Sequence, residues 1–201
     1  LAESKIYIVE LPDFSLRDVE NIIKKNIREN NVSYIFFDYI MSSLKILEEI
    51  AGRAGGVKIR EDNILFMLSR RLKDIANEYG VFILSSTQLN ADWKDSEMPD
   101  QNLLRGAKSI ADSIDLGMHV LPCMQKDLEK LETILAANTF ETPNVKLSIY
   151  KNRRGRYKGI YLWTKADYST CRFKPMFATT WDYNLIPIEN LTILTEEKGA
   201  F

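Results

Sequence analysis

The chain has 201 residues, 45% hydrophobic and 27% charged, a composition that fits one soluble globular domain with a core of its own. With Lys+Arg 27 against Asp+Glu 28 the net charge is -1, so nucleic-acid binding cannot be argued from overall charge and would need a local patch. The single histidine, His119, excludes a multi-histidine metal centre, and two cysteines without metal spacing (Cys123, Cys171) suit a reducing cytoplasm rather than a disulfide framework. No apolar run approaches the roughly 18 residues of a membrane span.

The chain opens on Leu1 and enters the extended run Lys5–Val9 almost at once, which reads as a strand and as the start of a piece cut from a longer protein. Pro12 and Asp13 turn the chain, and Ser15 can cap a helix to about Glu29 whose apolar face is Val19, Ile22, Ile23 and Ile27. Tyr34 to Phe37 is an unbroken run of β-branched and aromatic residues, the habit of a parallel strand buried on both faces. Leu44, Ile46, Leu47 and Ile50 suggest a short helix. Gly52, Gly55 and Gly56 with Arg53, Lys58 and Arg60 then suggest a loop.

From Glu61 to Tyr79 the helical period is strong, through Ile64, Leu65, Leu68, Leu72, Ile75 and Ala76, and Gly80 stands where a left-handed C-cap would. Val81–Leu84 follows as a second doubly buried strand, so strand and helix alternate as in a parallel sheet with right-handed crossovers. Asn90 to Asn102 is polar and predicts a loop. Asp115 to Leu121 predicts a third core strand, and Gln125 to Ala137 an amphipathic surface helix. Val145–Tyr150 and Gly159–Thr164 predict an antiparallel hairpin around a basic loop, while the tail 179–201 is weakly patterned. The fold class is thus α/β, a twisted mainly parallel sheet flanked by helices, with an antiparallel hairpin near the end, in one domain spanning 1–201.

Three polar features follow predicted strands. Asp38 ends one strand, on the edge where open α/β sheets bind ligands, and can hold magnesium through its waters. Ser85, Ser86, Thr87 and Gln88 end the next; a glutamine there can bond a terminal phosphate or orient an attacking water. Lys151, Asn152, Arg153, Arg154 and Arg156 begin after Tyr150, and arginine supplies permanent charge for developing phosphate negativity. Plainer readings exist for each: a capping aspartate, a solvated glutamine, a basic hairpin tip.

In order and spacing these segments resemble the RecA-fold motor domain of DnaB-type replicative hexameric helicases, including phage versions. Ile35-Phe36-Phe37-Asp38-Tyr39-Ile40 resembles the Walker B strand, and Asp74 to Asn90 the helix–strand–glutamine motif. Leu104-Arg105-Gly106-Ala107-Lys108-Ser109-Ile110, with Asp112 and Asp115 beyond, resembles the DNA-contacting loop and the strand after it. Lys151-Asn152-Arg153-Arg154-Gly155 resembles the lysine and arginine finger segment. Gly106 stands where the family usually has an acidic residue and Lys108 where it has glycine; the segment Cys123–Asn138 is longer than the usual connection.

The resemblance implies ATP and magnesium as cofactors, with Asp38 as the Walker B carboxylate and Gln88 linking γ-phosphate to the DNA loop. It implies Arg105, Gly106 and Lys108 on single-stranded DNA, and Lys151 and Arg153 reaching the nucleotide of an adjacent subunit in a hexameric ring. A helicase loader and a primase are implied partners, and the cytoplasm the location. The phosphate-cradling G-x-x-x-x-G-K-[ST] loop is absent from the sequence. The expectation is therefore a motor domain lacking its upstream segment and inactive alone. The alternatives are a RecA-like recombinase or mediator, and a catalytically inactive assembly or loader-binding module.

Overall fold

A computed structural model describes residues 5–53, 60–94, 100–104, 108–155 and 157–187. The chain divides into two compact units, one reaching Ile114 and one beginning at Asp115.

In the first unit, helix α1 (Leu16–Asn30) starts at a capping box: Ser15 Oγ accepts from the Asp18 amide and Asp18 Oδ2 accepts from the Ser15 amide. Val19 and Ile23 form its buried stripe. Strand β1 (Tyr34–Phe37) follows, then α2 (Leu44–Arg53), which buries Ile46 and Ile50. The long helix α3 (Glu61–Tyr79) occupies the span its periodicity predicts. Its buried residues Ile64, Leu65, Leu68, Leu72 and Ile75 recur every three or four positions, and Gly80 ends it at φ 64°, in the left-handed region. Glu20 of α1 binds Arg71 of α3 through both carboxylate oxygens and Lys24 at 2.7 Å, clamping the two helices. Strand β2 (Phe82–Ser85) runs parallel to β1 in the register Tyr34–Phe82 to Phe37–Ser85. Short 3₁₀ turns at Ala91–Lys94 and Gln101–Leu103 interrupt the predicted polar loop, and the short helix α4 (Lys108–Ser113) closes the unit.

Two expectations fail here. Lys5–Val9 is not a strand: Ile6 is 85% and Ile8 87% exposed, and no strand pairs with them among the described residues. The β1–β2 pair is not buried on both faces either. Ile35 and Phe37 are half-buried, with Phe37 edge-on to Phe14 at 5.9 Å, whereas Tyr34 is 71% and Phe36 72% exposed, and Phe82 and Leu84 share that exposure. An apolar run permits burial on both faces, but a second layer must be there to provide it.

The second unit is a five-stranded antiparallel sheet, β3 (Leu116–Pro122), β4 (Val145–Asn152), β5 (Ile160–Asp167), β6 (Arg172–Thr180) and β7 (Leu185–Ile186), in sequence order. The mainly parallel sheet expected from the sequence is therefore corrected: the parallel component is the β1–β2 pair, and β3 runs antiparallel to β4. The predicted β4–β5 hairpin is present. Helix α5 (Gln125–Ala137) packs Leu131 into a core of Tyr161, Trp163 and Phe177, and Trp163 Nε1 donates to Thr179 Oγ1 at 3.0 Å.

Beneath α5 lies a buried ionic cluster. Asp127 Oδ1 accepts from Lys146 Nζ and from the Tyr183 hydroxyl, both at 2.6 Å, and Asp127 Oδ2 accepts from the Met124 amide at 2.8 Å. The ammonium lies 5.0 Å from the Tyr161 ring centroid. Burial pushes the Tyr161 hydroxyl up to about 12 and the neighbouring Cys123 thiol up to about 11.

Candidate functional site

The strands β1 and β2 end together. At the last register pair Ser85 Oγ donates to the Phe37 carbonyl at 2.6 Å, and past it the Ile40 amide donates to the Ser86 carbonyl at 2.9 Å, so the two chains stay joined beyond the strands. Parallel pairing in this register puts Asp38 beside Ser86, whose hydroxyl donates to Asp38 Oδ1 at 3.3 Å. Two residues on, Gln88 Nε2 donates to the Tyr39 hydroxyl at 3.5 Å. Asp38, Ser86 and Gln88 are all exposed, at the carboxyl edge of the pair. Next to them a cavity of about 220 Å³ is lined by Tyr39, Met41, Ser42, Glu61, Thr87 and Gln88. An exposed carboxylate beside a hydroxyl and an amide is a donor and acceptor set suited to a hydrated cation and a phosphate, with the strand ends holding it in place.

The chain leaves this edge through a second connection. Leu89 forms an antiparallel bridge with Leu104. The Asn90 amide donates to the Leu103 carbonyl at 2.8 Å and Asn90 Nδ2 to the Asn102 carbonyl at 3.0 Å. Asp100 secures the far side by accepting from the Asn102 backbone and side chain at 2.8 and 2.6 Å. Of the predicted DNA-contacting residues, Arg105 and Gly106 lie outside the described residues, as do Gly55, Gly56 and Lys58 of the predicted loop. Lys108 does not sit in a loop; it opens α4.

In the second unit, Lys151 lies within β4 opposite Gly117, so the strand extends two residues past the predicted end at Tyr150. Arg153 follows the strand. Its amide donates to the Asp115 carbonyl at 2.9 Å, and its guanidinium lies 4.0 Å from the Asp115 carboxylate, with both side chains about half exposed. Asn152 shapes the turn: its Oδ1 accepts from the Gly155 amide at 2.8 Å and its Nδ2 donates to the Tyr157 carbonyl at 3.1 Å. A Cβ at position 155 would run into that asparagine, which accounts for the glycine. The structure thus groups Asp38 with Gln88 in one unit and Lys151 with Arg153 in the other. The contacts of Ser86 with Asp38 and of Asp115 with Arg153 were not expected, because each joins residues 48 and 38 positions apart that no local pattern links.

Residues 1–174 match the family described as DnaB-like helicase C-terminal domain. The chain belongs to that family. It is 39% identical over 197 residues to the SPbeta prophage-derived protein YorI of Bacillus subtilis (strain 168), covering 96% of this chain and 39% of YorI. It is 27% identical over 177 residues to the replicative DNA helicase DnaB of Mycoplasma pneumoniae, covering 87% of this chain and 35% of that helicase. The chain therefore spans well under half the length of these relatives. A solved structure of a DnaB-like replicative helicase, studied with its interactions with primase, superposes on 83% of the chain and 36% of its own, with a TM-score of 0.59 at 15% identity. The α/β fold of this domain is thus similar to that of the DnaB-like helicase structure. Among its described residues no helix is long and apolar enough to cross a membrane.

Proposed function

We propose that this chain is part of a RecA-like motor domain in a DNA helicase that translocates on single-stranded DNA and separates duplex at the expense of ATP. The supporting observation is the pairing of Asp38 and Gln88 at the same end of two parallel strands, with Ser86 bonded to the carboxylate. The family match runs through both compact units, which supports treating them as parts of one motor domain.

In this reading Asp38 holds the waters of a magnesium ion, and the Ser86 hydroxyl fixes the orientation of its carboxylate. Magnesium, when bound with ATP, neutralises charge on the phosphates. Gln88 presents its amide to the terminal phosphate or to the attacking water, and the Tyr39 hydroxyl holds that amide near the strand ends. Lys151 and Arg153 carry positive charge to the nucleotide of a neighbouring copy, so that hydrolysis depends on assembly into a hexameric ring. Asp115 steadies Arg153 in the absence of that neighbour. Arg105, Gly106 and Lys108 contact DNA phosphates, giving affinity that is salt-dependent and indifferent to base sequence. A helicase loader and a primase are the proposed partners, and the cytoplasm the place of work.

Strand displacement from a forked duplex by the intact protein tests this reading. ATP-dependent displacement is expected in the wild type and its loss in Gln88→Ala, with nucleotide binding retained. Displacement by the variant at the wild-type rate would contradict the role given to Gln88, and no ATP-dependent displacement by the wild type would contradict the function itself.

A further inference from the structure

We propose that Trp181, which lies past residue 174 where the family match ends, is a positioning residue for the basic turn that carries Lys151 and Arg153. The inference rests on the role proposed above for Arg153 at the nucleotide of a neighbouring copy. The turn leaves the sheet after the last β4–β5 register pair, Ile149 with Ile160, so its placement depends on its two roots. One root is held by β3: Lys151 stands opposite Gly117, and the Arg153 amide donates to the Asp115 carbonyl at 2.9 Å. The other root is Gly159, at φ 72° in the left-handed region. Its amide donates to the Ile149 carbonyl at 2.8 Å, and its carbonyl accepts from the Trp181 amide at 3.2 Å. The Trp181 indole lies against the same residue, since a Cβ at position 159 would stand 4.0 Å from the ring. The chain after residue 174 therefore holds the returning limb of the turn at one point, by backbone and by side chain.

This brace has its own backing. The Thr180 amide donates to the Asn184 carbonyl at 2.9 Å and the Tyr183 amide to the Thr180 carbonyl at 3.0 Å, which closes the segment Thr180–Asn184 on itself. Tyr183 ties that segment to α5 through its hydroxyl bond to Asp127, and the Lys130 ammonium lies 4.8 Å from its ring. The indole packs on the core of Leu131, Tyr161, Trp163 and Phe177, and a flat ring seated on a close-packed interior yields little. Trp181 Nε1 has no hydrogen-bond partner among the described residues, so the position uses the surface of the ring and not its donor. An arginine that acts across a subunit boundary is sensitive to such support, because a misplacement of about 1 Å at a reacting centre can cost about 10²-fold in rate.

The test is a double-mutant cycle on ATP turnover by the intact protein, with Trp181→Ala and Trp181→Phe each made alone and together with Arg153→Ala. Trp181→Ala should lower kcat about tenfold and leave KM for ATP within about twofold, the pattern of a group needed in the transition state and not in binding. Trp181→Phe keeps a ring on Gly159 and should stay within about twofold of wild type. Added to Arg153→Ala, Trp181→Ala should lower the remaining turnover no further, because residues that act as a unit are not additive. Gly159→Ala strains the same root from the other side and should repeat the pattern, so it carries the test where Trp181→Ala does not fold. Wild-type turnover in Trp181→Ala would overturn the inference. So would an equal loss with and without Arg153, or a phenylalanine variant as impaired as the alanine one, since either makes Trp181 part of the core alone. Wild-type turnover in Arg153→Ala would instead remove the finger reading, and the inference with it.

Discussion

The two units solve opposite problems with the same kinds of residue. The antiparallel unit encloses its charges: Asp127 and Lys146 are buried against Tyr161 and Tyr183, and every oxygen of the carboxylate has a donor. The parallel unit exposes its charges: Asp38 stands in solvent at a strand end, with one hydroxyl at 3.3 Å. It also leaves Tyr34, Phe36, Phe82 and Leu84 uncovered on one face of β1–β2. A buried ion pair holds a fold to one arrangement, whereas an exposed carboxylate at a sheet edge is placed for a ligand. Stability and the proposed chemistry are therefore assigned to different side chains.

That contrast breaks most readily where the effects are largest. Arg153→Ala in the intact protein should lower ATP turnover by about 10³-fold, the low end for loss of an arginine finger, with unchanged thermal unfolding. Turnover within a few-fold of wild type would remove Arg153 from the site. In the enclosed cluster, Asp127→Ala should cost about 3–5 kcal/mol in denaturant unfolding, because it strands the Lys146 ammonium in a buried setting. A loss under about 1 kcal/mol would mean that water reaches Lys146 and that the cluster is less enclosed than its geometry indicates.

Core packing sharpens the comparison within the parallel unit. Leu68→Ala, at a fully buried site on α3, should cost about 2–5 kcal/mol, and Phe36→Ser on the bare face less than about 1 kcal/mol. Similar costs for the two would show that the face of β1–β2 is covered in the intact protein. Another small effect is a pH dependence. Hydrogen bonds from Arg71 and Lys24 hold the Glu20 carboxyl down at about 2, against an ordinary 4.5. A depressed carboxyl stabilises the fold fully above its unfolded value and loses that contribution as pH falls through the folded one. Glu20→Gln should therefore cost about 1 kcal/mol near neutrality, after allowing for screening of a partly exposed group, and progressively less between pH 4.5 and 2. A cost independent of pH over that window would assign the clamp to packing alone.

Much of the parallel unit was legible because its signals are local. The apolar period of α3, the glycine after it and the serine before α1 each fix an element from within a few residues. The candidate Asp38 stood out for the same reason, as the first polar group after an apolar run, and Gln88 as one of the four polar residues that follow Leu84. Burial was not legible, since Tyr34–Phe37 reads the same whether or not a second layer covers it. Strand β6 escaped notice because its first half, Arg172 to Pro175, carries two cations and ends in proline. Pro175 is tolerated beside a register shift, at a point where β7 does not reach, since β7 pairs with Ala178 and Thr179. The Asp127–Lys146–Tyr183 cluster joins residues 19 and 56 positions apart, a distance no periodicity spans.

The central claim is that the exposed edge of β1–β2 is a nucleotide site, and ATP turnover by the intact Asp38→Asn protein tests it most directly. A fall of about 10²-fold or more at unchanged melting temperature is the predicted result, as for removal of a group that stabilises charge in the reaction. Turnover within twofold of wild type would contradict it.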